Sequence, residues 1–212
     1  MTKVYMYVVA RDFGFAPNPF HGFCTLATCK PRTRRVAKVG DWIVGMGGGR
    51  LRATGKCLFA MKVSHSETFD GYWSNPLYRD KKPLRNGSKK MIVGDNIYYK
   101  KDNEWKQLNS HHSFPDGSPN PHNIKNDTQT DIVLISDYFF YFGASAVEIP
   151  EKILKDLGYA NGRDHRKFPF QQARPLIEYL EREFESNRLY GDPYDFESAK
   201  SRYSVENDKL TV

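Results

Sequence analysis

A chain of 212 residues, 39% hydrophobic and 14% aromatic, is long enough to bury one sizeable core. It has no apolar run of membrane-helix length, and three cysteines are an odd number that excludes a complete disulfide framework. The net charge of +7 points to polyanionic partners, because its cations cluster in the body of the chain (Lys30 to Lys56, Arg79 to Lys90, Arg163 to Lys167) while acidic residues gather late, in Glu178 to Glu185 and Glu197 to Asp208.

The N-terminus leads straight into Val4–Val9, an apolar run too short and too aromatic for a signal peptide, so a cytoplasmic protein is expected. Val4 to Ala10 reads as the first strand. Asp12 to Pro19 is a loop broken by Gly14, Pro17 and Pro19, and His21 to Cys29 reads as a short helix stopped by Lys30-Pro31. A strand from Trp42 to Met46 turns at Gly47-Gly48-Gly49 into a long return strand, Ala53 to His65. Alternation puts Cys57, Phe59, Met61 and Val63 on one face of that strand and Leu58, Ala60, Lys62 and Ser64 on the other.

Ser66 to Trp73 reads as a helix with Ser66 as N-cap. Asn75 to Lys90 is a long basic loop. Met91 to Tyr99 is a strand whose chain turns through Lys101-Asp102-Asn103 into Trp105–Leu108. Asn109 to Asp127 is a second long loop, rich in proline and histidine. Strands follow at Ile132–Ser136, Tyr138–Gly143 and Val147–Ile149. Helices follow at Pro150–Leu157 and Arg174–Asn187, the latter with Leu176, Ile177, Leu180 and Phe184 at helical spacing. The segment after Gly191 has no clear period and reads as a loosely attached tail. The class is α+β, a mixed β-barrel with short peripheral helices and a C-terminal helical extension.

The order of strand, helix, Lys-Val-Gly-Asp strand, glycine turn, long strand and Phe-Asp-x-x-Trp helix is similar to the PUA-like superfamily, in its EVE and ASCH branches. A closer likeness lies in several motifs: Arg11 to Gly22 (RDFGFAPNPFHG), Thr25 to Pro31 (TLATCKP), Asn86 to Met91 (NGSKKM), Val93 to Tyr98 (VGDNIY), Ser110-His111-His112-Ser113 and Pro115-Asp116-Gly117-Ser118. Together they resemble the second type of nucleotide-modification-associated domain, a bacterial and phage family, from Val4 to about Phe168. The resemblance implies association with systems that modify bases in DNA and carries over no catalytic residue. It divides the chain into a PUA-like domain over 1–168 and a helix and polar tail over 169–212.

Candidate sites follow from residue chemistry. Phe20 and His21, on a proline-rich lip, suit stacking on a base, worth about 1–3 kcal/mol per base; the alternative is a structural loop whose aromatics plug the barrel end. Trp42, Trp73, Asn75 and Asp95 complete the expected ligand pocket, although tryptophans commonly serve the core. Arg32, Arg34, Arg35, Arg85, Ser88, Lys89, Lys90, Arg163 and Arg166 are the expected phosphate contacts. Gly87-Ser88-Lys89-Lys90 lacks the full Walker pattern, so it is read as a flexible basic loop.

The best case for an enzyme is the loop holding His111, His112, Asp116 and His122, residue types suited to general acid–base work. Cys24, Cys29 and Cys57 read as reduced thiols. Without a second cysteine pair no structural zinc is expected, nor any cofactor. The first reading is a module that binds a modified or flipped base in DNA or RNA, with partner proteins of a modification or defence system and no membrane. The alternative is a nucleotide- or base-modifying enzyme built on the histidine loop.

Overall fold

The computed structural model describes residues 1–211. The chain forms two compact units, each built from three separate segments. The first comprises Met1–Asp12, Ala37–His65 and Ser136–Tyr194; the second comprises Phe13–Val36, Ser66–Ile135 and the chain from Asp195 onward. Residues 169–194 thus belong with the first unit and the final segment with the second. The class is α+β, and no helix among the described residues is long and apolar enough to cross a membrane.

The first unit is organised on a seven-stranded sheet. Its strand order is His165–Pro169, Lys3–Val9, Trp42–Gly47, Lys56–Lys62, Tyr138–Tyr141 and Arg188–Leu189, with Val147–Glu148 also paired to Lys56–Lys62. Lys3–Val9 and Trp42–Gly47 run parallel. Such strands are covered on both faces, which is why their sequences read as nearly unbroken apolar runs. Among the described residues the sheet does not close into a barrel: the strands at its two ends, one of them only two residues long, do not pair with each other.

The hairpin of Trp42–Gly47 and Lys56–Lys62 corrects the expected alternation. Gly45 lies opposite Phe59 but Met46 lies opposite Cys57, so Leu58 is the extra residue of a β-bulge. The bulge moves Cys57 to the face of Ala60, where both join a core with Val4, Met6, Trp42 and Val44. Phe59 instead meets Tyr7. Gly45 is required by this contact, since a Cβ there would lie 2.0 Å from the Phe59 ring. The helix Phe170–Glu183 packs Ala173, Leu176, Ile177 and Leu180 into the same core. It begins four residues earlier than expected, and Pro175 lies inside it.

In the second unit a three-stranded sheet has the order Cys24–Leu26, Val133–Ser136, His65–Glu67, and Tyr98–Lys101 forms a hairpin with Glu104–Gln107. The helix expected over His21–Cys29 is instead a strand. His21 and Gly22 both have positive φ, 61° and 82°, and turn the chain before Cys24. The cap of the Phe69–Ser74 helix is Thr68, not Ser66, its hydroxyl accepting from Gly71 N at 3.0 Å. The basic loop contains a 3-10 segment, Pro76–Lys81, and the short helix Lys89–Ile92, which takes the start of the expected strand. The tail is not loosely attached to its unit. Arg202–Ser204 pairs with Lys209–Thr211, and Tyr203 N donates to His111 O at 2.8 Å.

Candidate functional site

The second histidine-bearing loop is less irregular than its prolines suggest. Asn120 and Pro121 start a helix, Pro121–Asp127, by the usual chemistry of an N-cap followed by proline at the first turn. The Asn120 side chain accepts from the main-chain N of His122 and Asn123 at 3.0 and 3.3 Å. Helical spacing puts Asn123 and Asp127 on one face, four residues apart, and both are buried. Both hold His112. Asn123 Nδ2 donates to His112 O at 2.8 Å, and Asp127 Oδ2 lies 2.7 Å from His112 Nδ1.

The Tyr98–Lys101 hairpin supplies the floor. Tyr98 and Gln107 face each other in register. Tyr98 OH donates to Asp127 Oδ2 at 2.8 Å, while Gln107 Nε2 reaches Tyr98 OH at 3.1 Å and His112 O at 3.2 Å. The other ring nitrogen of His112, Nε2, lies 3.6 Å from Cys29 Sγ. The result is a continuous thiol–imidazole–carboxylate relay through Cys29, His112 and Asp127. Cys29 is half-buried, whereas the other two are buried.

Cys29 sits on a constrained turn. It and Lys30 both have left-handed φ, 54° and 39°, a conformation that non-glycine residues adopt sparingly. The turn is held from both sides. Asp127 Oδ1 accepts Cys29 N at 2.8 Å, and Arg34 Nε donates to Cys29 O at 2.9 Å. Arg34 is wholly buried, and its guanidinium also donates to the carbonyls of Asp127 and Ile132. One arginine therefore ties the cysteine turn to the end of the helix that carries the carboxylate.

The electrostatics separate the two adjacent histidines. Burial opposes charge on His112, but Asp127 and the Cys29 sulfur more than offset it and push His112 up to about 10. Burial likewise works against the Asp127 carboxylate, yet His112 and then Arg34 hold it below the usual range. His111 goes the other way: burial, with His112 beside it, pulls it down to about 3. Its Nδ1 meets the carbonyl of Ser201 at 2.7 Å, so that nitrogen carries the proton. The ring is packed against Phe13, Phe15 and Tyr203.

A family model described as nucleotide modification associated domain 2 matches residues 1–200. The chain belongs to this family. The match includes Cys29, His112 and Asp127, so the relay lies inside the family's domain. No curated protein and no solved structure matches the chain.

The other expected residues fall in several places within this domain. Asp116 is exposed, its carboxylate accepting from Ser118 N and Oγ at 2.9 and 2.6 Å. His122 is also exposed and lies 3.4 Å from Glu206. Phe20 is buried and stacks on Phe196. His21 is half-buried, its Nε2 without a hydrogen-bond partner, and burial together with Lys81 pulls its pKa down. Asn75 caps the Pro76–Lys81 segment. Asp95 is buried and accepts from Thr25 Oγ1 and Tyr72 OH at 2.7 and 2.8 Å. Trp42 stands in the core of the first unit. Trp73 is half-buried and stacks on Tyr99, with ring centroids 4.1 Å apart, while Lys82 Nζ lies 3.6 Å from the Trp73 ring.

Of the expected phosphate contacts, Arg32, Arg35, Ser88, Lys90, Arg163 and Arg166 are exposed. Arg34 faces inward as described, and its helix neighbour Arg35 reaches the carbonyl of Gln129. Arg85 donates to the carbonyls of Ile92 and Lys200, and Lys89 pairs with Glu197. Sequence reasoning singled out His112 but missed Cys29 as its partner, along with Asp127, Tyr98 and Gln107. The three relay residues are separated by 83 and 15 positions, so no local motif joins them.

Proposed function

We propose that the chain is a thiol-dependent enzyme of nucleotide modification, with Cys29 as nucleophile, His112 as proton carrier and Asp127 as the group that orients the histidine. The observation that carries this reading is the relay itself: 3.6 Å from Sγ to Nε2 and 2.7 Å from Nδ1 to Oδ2. A base beside a nucleophile, oriented by a third group, is the arrangement by which weak nucleophiles are activated. The thiolate is the attacking form of a cysteine, and Nε2–H is the donor that faces it.

As sulfur bonds to an electrophilic carbon of the substrate, the bond to the leaving group breaks and that group takes the Nε2 proton. The neutral imidazole then accepts a proton from the incoming water or amine, whose attack breaks the carbon–sulfur bond. The Asp127 carboxylate keeps Nδ1 protonated through both steps, and Arg34 and Asp127 together fix the turn from which sulfur attacks. The family description supports a nucleotide or a base of nucleic acid as substrate.

A second reading, binding of a modified base without chemistry, is favoured by one observation. The half-buried Trp73–Tyr99 stack with Lys82 against it offers an aromatic and cationic platform of the kind that binds single strands. The two readings separate when nucleotides and oligonucleotides carrying modified bases are incubated with wild type and Cys29→Ala, and protein and nucleic acid are examined by intact mass. The enzyme reading expects a product or a Cys29-linked adduct that Cys29→Ala lacks. Salt-sensitive binding with no product, unchanged in Cys29→Ala, would leave the binding reading standing instead.

A further inference from the structure

We infer that Cys29 Sγ and His112 Nε2 form an open binding site for a thiophilic divalent cation such as Zn²⁺, with Asp127 as the carboxylate behind the histidine. The inference rests on the same arrangement as the thiol reading, though not on any reaction. Donor atoms of Cys29, His112 and Asp127 lie within 4.8 Å of one another. The separation of the first two is more informative. Tetrahedral zinc with its usual bonds to sulfur and nitrogen holds those donors about 3.6 Å apart, and Sγ and Nε2 stand 3.6 Å apart before any ion is added.

Asp127 serves the site from behind. Its Oδ2 meets His112 Nδ1, and its Oδ1 accepts Cys29 N, so both oxygens are engaged and the carboxylate acts as the outer partner of a metal-binding histidine. Tyr98 and Gln107 hold this pair in place, and Arg34 holds the cysteine turn. Two protein donors leave two tetrahedral positions for water or a substrate atom, which makes this an open site and not a closed structural one. Lack of a second cysteine pair argues only against the closed kind. Because the ion and the Nε2–H compete for the space between the same two atoms, occupancy would block the thiol chemistry, and zinc would act as an inhibitor of the site.

The test uses the full chain freed of metal by chelation and titrated with Co²⁺ and then Zn²⁺. The expected result is a sulfur-to-cobalt charge-transfer band that Zn²⁺ bleaches, that Cys29→Ser lacks, and that Asp127→Asn yields only at about 10- to 100-fold higher Co²⁺ concentration. A readout without variants is protection. Zn²⁺ at saturation should slow alkylation of Cys29 by iodoacetamide at least tenfold, as mapped by peptide mass. No band and no protection would overturn the metal site, as would a band of equal strength in folded Cys29→Ser. Alkylation of the metal-free protein separates the two readings. A His112-dependent rate without zinc protection keeps the thiol reading and rejects the metal site. A cobalt band with an alkylation rate indifferent to His112 does the reverse.

Discussion

The two units bury polar groups in opposite ways. In the first, Asp12, Asp41 and Ser136 are the buried polar side chains among the described residues, and the interior is otherwise aromatic and aliphatic. The second buries Arg34, Lys81, Asp95, His111, His112 and Asp127 together with many amides and hydroxyls. A buried charge is costly unless it is paired and hydrogen-bonded. The second unit meets that requirement with two networks. In one, Lys81 Nζ reaches Asn18 and Phe23 while Asp95 takes Thr25 and Tyr72. Every hydrogen of the Lys81 ammonium is therefore satisfied, and burial, against the pull of Asp95, lowers its pKa to about 8. That network reads as structural. The other ends on a half-buried thiol, that of Cys29. Perturbed groups that converge on such an atom mark a functional site.

Substitutions can break or sharpen this contrast. The largest effect is expected for Asp127→Ala, which strands His112, Tyr98 and the main-chain N of Cys29 without their partner. Removing one member of a buried ion pair costs about 3–5 kcal/mol, measurable by urea unfolding; a loss below about 1 kcal/mol would mean that the pair is not the keystone described here. Gly45→Ala, in the apolar unit, forces a Cβ against the Phe59 ring and is expected to cost about 1–3 kcal/mol by overpacking. It should leave the alkylation rate of Cys29 unchanged, and a parallel loss of reactivity would contradict the division of labour between the units.

The pH dependence of stability gives a slower readout. His112 titrates at 6.5 in the unfolded chain and at about 10 in the folded one. At His112 the folded state thus binds more protons between those values, and the stability that His112 contributes falls as pH rises across that window, against a rise above about 8 from the lowered Lys81. The contribution is complete below 6.5 and lost above about 10. Asp127, held below its ordinary value, adds the opposite limb, losing its contribution as pH falls through the carboxylate range. His112→Gln should flatten the decline on the alkaline side; an unchanged slope of urea midpoint against pH would place its origin elsewhere. The smallest effect contrasts neighbours on one helix. Arg35→Ala, at the surface, should stay within about 0.5 kcal/mol of wild type, whereas Arg34→Ala should exceed it several-fold because four carbonyls on three segments lose their donor.

Much of the fold was legible because it is periodic. The apolar runs at Val4 and Trp42, the glycine turn and the Leu176–Leu180 stripe report strands and a helix directly. Errors arose where local chemistry overrode period: the left-handed His21-Gly22 turn, the bulge at Leu58, and the Asn120-Pro121 helix start hidden in a proline-rich stretch. The site was half legible. His112 stood out by residue type, and the motif Thr28-Cys29-Lys30-Pro31 contained its sulfur partner without revealing it. Asp127 had no signal of its own, since it acts only because a helix, a hairpin and a turn converge. Arg34 misled in the opposite sense, as composition cannot tell a buried clamp from a cation that meets phosphate.

The most direct test of the central claim is the rate at which iodoacetamide modifies Cys29 in metal-free protein, compared among wild type, His112→Gln and Asp127→Asn. Cys29 is expected to react well ahead of the buried Cys24 and Cys57, and each substitution to slow it at least tenfold in protein still folded by circular dichroism. Equal rates in all three would show that the thiol does not depend on the histidine and carboxylate beside it, and would contradict the account.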